Sequence, residues 1–195
     1  TIISNRKNLI NNPSTIIQPF IYVGLSVLLI IIQPDLSTSV TILFVTFGML
    51  FIAGMHYIYV LGIAGMGIFG IVLLILFEPY RLKRFTTFLD PFKDPLGNGY
   101  QVIQSLYALG SGGIFGLGLG KSRQKFFYLP EPQNDFIFAI IGEELGYIGG
   151  IFVLILFAFL ILRCLQLVVK APDMFSSMLV AGITLQIGIQ VLINI

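Results

Sequence analysis

Asp135, Glu143 and Glu144 are the carboxylates of this 195-residue chain best placed to do chemistry, because each stands at or inside a long apolar run. Shortly before them Lys121, Arg123 and Lys125 alternate across five residues, and farther back Arg81, Lys83 and Arg84 form a tight cluster. A carboxylate at a water boundary can take a proton from a hydroxyl, and cations beside it can hold an anionic group such as a phosphate. Both kinds of group are concentrated in one stretch. Seven of the nine Asp and Glu and seven of the eleven Lys and Arg lie between Glu78 and Glu144.

Each of these residues also has a plainer reading. Asn134 and Asp135 are good caps for the helix that follows, where a carboxylate also suits the helix dipole. Capping alone leaves the crowd of cations unexplained. The Arg81, Lys83 and Arg84 cluster is as well suited to snorkelling toward lipid headgroups as to clamping a phosphate. Glu143 and Glu144 are harder to dismiss, since at ~1.5 Å per residue they fall roughly 12 Å deeper along the helix than Asp135. Carboxylates at that depth face a bundle interior or a wet cavity, and at least one of the pair is expected to be partnered or uncharged. At ~100° per residue Glu143 lies near the Asp135 face and Glu144 points away. Glu143 is therefore expected to border a cavity, and Glu144 to anchor to another helix. Glu131, in PEPQND, is grouped with them as a cavity or structural carboxylate.

The rest of the chain reads as the frame for this segment. With 56% hydrophobic and 10% charged residues, and a mean hydropathy of +0.96, it lies far outside the soluble globular range. Lipid must be its main solvent, and the long apolar runs without two-residue alternation select helices over a barrel. A net charge of +2 gives no reason to expect nucleic acid as a partner. Cys164 sits alone in an apolar run as a packing residue, and His56 has no neighbouring ligand to make a metal site.

Five spans are expected: Ile16 to Ile32, Leu36 to Gly54, Tyr57 to Phe77, Phe136 to Leu162 and Met174 to Ile195. Pro34 separates the first two, with Asp35 or Ser37 as the cap of the second. Arg163 to Asp173 reads as a short loop flanked by basic residues. Within the charged segment, DPFKDPLGNG is turn chemistry, and Tyr100 to Leu109 has the spacing of an amphipathic helix lying along the interface. Gly110 to Gly120 suits close backbone packing better than a phosphate loop, since no strand precedes it. A chain that starts at Thr1 without a signal peptide, and stops in an unflanked apolar run, reads as an excerpt of a longer protein. Counting basic residues in loops leaves the orientation open.

The run FLDPFKDPLGNGYQVIQSLYALGSGGIFGLGLGKSRQKFFYLPEPQNDFIFAIIGEELGYIGG closely resembles the SEDS family, the shape, elongation, division and sporulation proteins FtsW, SpoVE and RodA. QPDLSTS at Gln33 to Ser39 is similar to that family's QPDLGTA element, and KSRQKFFYLPEP looks more like the FtsW/SpoVE branch than RodA. The resemblance implies an all-α, polytopic transmembrane bundle of ten spans, of which residues 1–195 would be spans five to nine of a single membrane domain. Residues 78–135 would be its large extracellular loop, and Arg6, Lys7, Arg163 and Lys170 would be cytoplasmic.

It also implies a peptidoglycan glycosyltransferase of the bacterial cytoplasmic membrane that polymerises lipid II at the outer face, for division or sporulation. The essential aspartate of the family's PExxxDFIF pattern falls on Asp135, as general base. Arg81, Lys83, Arg84, Lys121, Arg123 and Lys125 become candidates to hold the diphosphate, and Glu131, Glu143 and Glu144 the cavity or structural carboxylates. Lipid II, membrane lipids and a class B penicillin-binding protein transpeptidase are the implied partners. No cofactor is evident, and the need for a divalent cation is left open. A lipid II flippase and a scaffold of the division complex are the alternatives.

Overall fold

A computed structural model describes residues 13–33, 35–77, 83, 86–87, 89–97, 99–127 and 136–195. Among these, all regular structure is helical: α1 (Pro13–Ile32), α2 (Leu36–Ile52), α3 (Tyr57–Phe77), a 3-10 turn (Pro91–Lys93), α4 (Tyr100–Gly112), α5 (Gln124–Phe127), α6 (Ile137–Lys170) and α7 (Met174–Asn194). Two compact units divide within α3, between Phe69 and Gly70, within α6, between Ala158 and Phe159, and near the end of α7, between Leu192 and Ile193.

In the first unit α1 packs along α2. Ala53 and Met178 form a small core with Met49, Ile52 and Met174 around it. Small residues set the approach of α2 to α7. A Cβ on Gly48 would stand 2.6 Å from Leu185 Cδ1, and one on Gly182 would stand 3.1 Å from Met49 Sδ. Lipid tails give helices no hydrophobic reason to associate, so such close packing carries the contact. The hydroxyls of these apolar helices bond back to carbonyls one turn earlier: Thr41 Oγ1 to Ser37 O at 2.9 Å, Thr46 Oγ1 to Ile42 O at 2.7 Å and Thr184 Oγ1 to Val180 O at 2.7 Å. Large side chains face outward along the helices, with Leu61 67% and Phe159 68% exposed. Water would penalise that surface, whereas hydrocarbon does not. Helices α6 and α7 are long and apolar enough to cross a membrane, with mean hydropathies of 2.7 and 1.7 over their most apolar windows. This is an all-helical membrane protein.

Two of the helices start on the same device. Asp35 accepts the Thr38 N–H at 3.0 Å and the Thr38 hydroxyl at 2.6 Å, so it, rather than Ser37, caps α2. Asp173 accepts the Ser176 N–H at 2.8 Å and its hydroxyl at 2.7 Å at the start of α7. For Asp35 the Thr38 hydroxyl, and for Asp173 the Ser176 N–H, is the main cause that holds the carboxyl below the usual carboxylate range. A depressed folded pKa stabilises above the unfolded value and ceases to do so as pH falls through the folded one. Asp35→Ala is accordingly expected to cost about 1 kcal/mol at neutral pH. The cost should shrink once the pH drops below the usual Asp range, as read from thermal unfolding in detergent.

The linker before α7 is shorter than the sequence suggests. Residues 163–170 continue α6 instead of forming a loop, and only Ala171, Pro172 and Asp173 connect the helices. RCLQLVVK holds no glycine or proline, and its Arg, Leu, Gln and Lys favour a helix. Arg163 Nη1 also donates to Gln166 Oε1 at 2.9 Å along the helix surface. Pro172 then ends it, because the residue before a proline is pushed out of the helical region.

Candidate functional site

The second unit is built around a break in α6. Gly146 has φ 70° and ψ −171°, far from helical, so the ladder of hydrogen bonds is interrupted there. An interruption strands carbonyls before it and N–H groups after it, which membrane interiors do not forgive. The glycine-rich segment after α4 supplies both. Leu117 N–H donates to Glu143 O and Gly118 N–H to Glu144 O, each at 2.9 Å. In return Tyr147 N–H donates to Gly113 O at 2.9 Å and Ile148 N–H to Ile114 O at 3.3 Å. The approach is backbone on backbone. A Cβ on Gly116 would run into Glu144 O and stand 2.5 Å from Glu144 C, and one on Gly112 would run into Gly142 O. Gly116, at φ 78°, has in addition a backbone conformation that other residues rarely adopt.

That seam brings Glu143 under the next segment. The residue is 1% exposed, and its carboxylate receives three donors. Ser122 Oγ donates to Oε2 at 2.5 Å, Arg123 N–H to Oε1 at 3.0 Å and Gln124 N–H to Oε2 at 3.4 Å. Ser122 Oγ in turn accepts the Lys125 N–H at 3.0 Å. One buried carboxylate and one buried hydroxyl thus satisfy the amides that open α5. Beside them lies an open groove of about 570 Å³, lined by Tyr107 and Ser111 of α4, Leu117, Arg123, Gln124 and Glu143. It offers an exposed guanidinium, a phenol and a hydroxyl above an apolar floor, which suits an anionic group attached to something larger.

The other residues singled out in the sequence are distributed as follows. Lys121 and Lys125 are exposed near the groove. Lys83 pairs instead with Asp94 at 3.3 Å, and Lys93 with Asp90 at 3.5 Å, both at the surface. Glu144 Oε1 and Gln124 Oε1 are buried with no hydrogen-bond partner among the described residues. Among those residues no three His, Cys, Asp or Glu gather as a metal site would require. Arg6, Lys7, Arg81, Arg84, Glu131 and Asp135 lie outside the described residues. Helix α4 forms as its spacing indicates, but its buried positions are Ile103, Ala108 and Gly112, while Leu106, Tyr107 and Leu109 stay exposed. Ser122 and Gly146 carry no role in a reading of the sequence alone. The Ser122 to Lys125 spacing of a local cap is the one signal that points to the first.

The family described as "Cell cycle protein" (FtsW, RodA, SpoVE) matches residues 1–195. "Stage V sporulation protein E" of Bacillus subtilis (strain 168) is 52% identical over 168 residues, which cover 86% of this chain and 46% of that protein. "Probable peptidoglycan glycosyltransferase FtsW" of Escherichia coli O157:H7 is 44% identical over 188 residues, covering 95% of this chain and 45% of that one. The chain spans about half the length of these relatives. A solved chain from "Structural coordination of polymerization and crosslinking by a peptidoglycan synthase complex" shares the fold, with a TM-score of 0.72 and 24% identity over 99% of this chain and 54% of its own.

Proposed function

The chain belongs to the FtsW/RodA/SpoVE family of cell cycle proteins, and from that premise we propose that the full-length protein is a peptidoglycan glycosyltransferase that polymerises lipid II. The observation that carries this reading is Asp135 within PEPQNDFIF, followed directly by a helix whose buried Glu143 organises the cationic turn of residues 121–125. The acceptor hydroxyl gives its proton to the Asp135 carboxylate as its oxygen attacks C1 of the donor sugar. The bond from C1 to the polyprenyl diphosphate breaks, and the diphosphate leaves with the electron pair. A good leaving group reduces the enzyme's task to positioning two sugars, activating one hydroxyl and steadying the departing charge. Lys121, Arg123 and Lys125 are the candidates for the last of these, together with Arg81, Lys83 and Arg84. The protein works as a multi-pass protein of the cytoplasmic membrane, with residues 78–135 on the outer face and a class B penicillin-binding protein transpeptidase as partner.

A flippase would move lipid II and leave it intact, whereas a transferase must free one polyprenyl diphosphate for every sugar–sugar link. Full-length protein supplied with lipid II is expected to release polyprenyl diphosphate in step with glycan growth. Translocation of intact lipid II across sealed vesicles, with none released, would overturn the proposal. The orientation has its own test. A cysteine at Asn98, with Cys164 replaced, is expected to react with a membrane-impermeant thiol reagent in intact cells. Labelling only after permeabilisation would reverse the topology.

A further inference from the structure

Glu143 is withdrawn from solvent, and the transfer step described above leaves it without a part to play. A buried carboxylate in an apolar helix costs free energy that an apolar residue of similar size would not. Its three donors all come from residues 122–124, and Ser122 extends the network to the Lys125 amide. The contact that matters most is the one to the backbone N–H of Arg123, because the side chain of the same residue lines the groove.

We propose that Glu143 is a positioning residue that, through Ser122 and the amides of Arg123 and Gln124, holds the Arg123 guanidinium where the diphosphate of the substrate binds. The inference rests on the reading that lipid II is the substrate. Glu143 itself touches no substrate. It locks the turn, and the locked turn restricts where the guanidinium can point, so that less ordering is needed on binding. Glutamine at the same position would keep one acceptor but set its NH2 against donors already there, loosening the turn without emptying the space.

The test is a double-mutant cycle on full-length protein with lipid II as the probe, reading KM, kcat and thermal unfolding. Arg123→Ala and Glu143→Gln are each expected to raise KM about 10-fold, the size of losing one hydrogen bond to a charged group. The kcat should fall as well, since the same guanidinium is a candidate to steady the departing diphosphate. Ser122→Ala, which removes a single donor, should raise KM by a smaller factor. The double variants Arg123→Ala/Glu143→Gln and Arg123→Ala/Ser122→Ala are expected to be no worse than Arg123→Ala alone, because the contribution passes through Arg123. A purely structural role predicts instead that the KM factors multiply in the doubles, or that kcat falls with the folded fraction while KM is unchanged. Either result overturns the inference. If Glu143→Gln does not fold, the Ser122→Ala arm decides by the same criterion. Wild-type protein that turns over no lipid II would refute the functional reading and this inference together, whereas normal wild-type turnover with multiplying factors would refute the inference alone.

Discussion

Asp135→Asn in the full-length protein is expected to lower the rate of glycan formation by about 10²- to 10⁴-fold, the range that a positioned general base contributes. Expression and membrane insertion should be unchanged. The substitution separates the two jobs that a carboxylate can do just before α6 begins at Ile137. Asparagine is about as good as aspartate at capping a helix, so a capping role alone would leave stability within a few tenths of a kcal/mol. What the amide cannot do is accept a proton from the attacking hydroxyl. Polymer yield near the wild-type level would leave Asp135 with capping as its whole role and would require the base to be sought elsewhere.

The second large effect is expected at the break in α6. Gly146→Ala places a Cβ 2.5 Å from Ile114 O and forces a side chain onto a backbone at φ 70°, ψ −171° that only glycine adopts readily. Relief requires the glycine-rich segment to withdraw, and with it the four backbone hydrogen bonds that bridge the break. Each group stranded in an apolar setting costs about 1–3 kcal/mol, so a loss of at least about 3 kcal/mol is expected. Gly116→Ala should cost a similar amount from the other side of the seam, where the added Cβ would meet Glu144 O. Because the two residues share one contact, their effects should fall short of adding. Gly110→Ala makes the contrast. Its Cβ would meet nothing within 4 Å, so a helix position there should tolerate or gain from alanine. Thermal unfolding in detergent would rank the three, and equal effects at Gly110 and Gly146 would refute the account of the seam.

Much of the frame can be read directly from the chain. The apolar runs expected to end at Ile32 and Phe77 coincide with the ends of α1 and α3, and the one expected to reach Gly54 stops at Ile52, just before that glycine turns the chain at φ 89°. The end of α6 is misread for a specific reason. Arg163 and Lys170 look like loop charges, yet both are strong helix formers and nothing between them breaks a helix. The break at Gly146 is hidden more deeply. A glycine in an apolar helix is common in membranes, and what stabilises this one is a segment about thirty residues earlier. The same distance hides the partner of Glu143. The depth of that carboxylate along the helix announces that it must be satisfied, but periodicity within α6 says nothing about Ser122, twenty-one residues upstream in a turn. Local pattern thus reports the need for a contact, and tertiary packing alone supplies its identity.

The central claim, that the site transfers sugars rather than moving lipids, meets its most direct test in detergent micelles, where no sealed compartment exists for a transporter to serve. Purified full-length protein mixed with lipid II, and with no ion gradient or second polymerase present, is expected to yield glycan strands many disaccharides long on a gel. Lipid II recovered unpolymerised from that mixture, with protein shown by thermal unfolding to be folded, would contradict it.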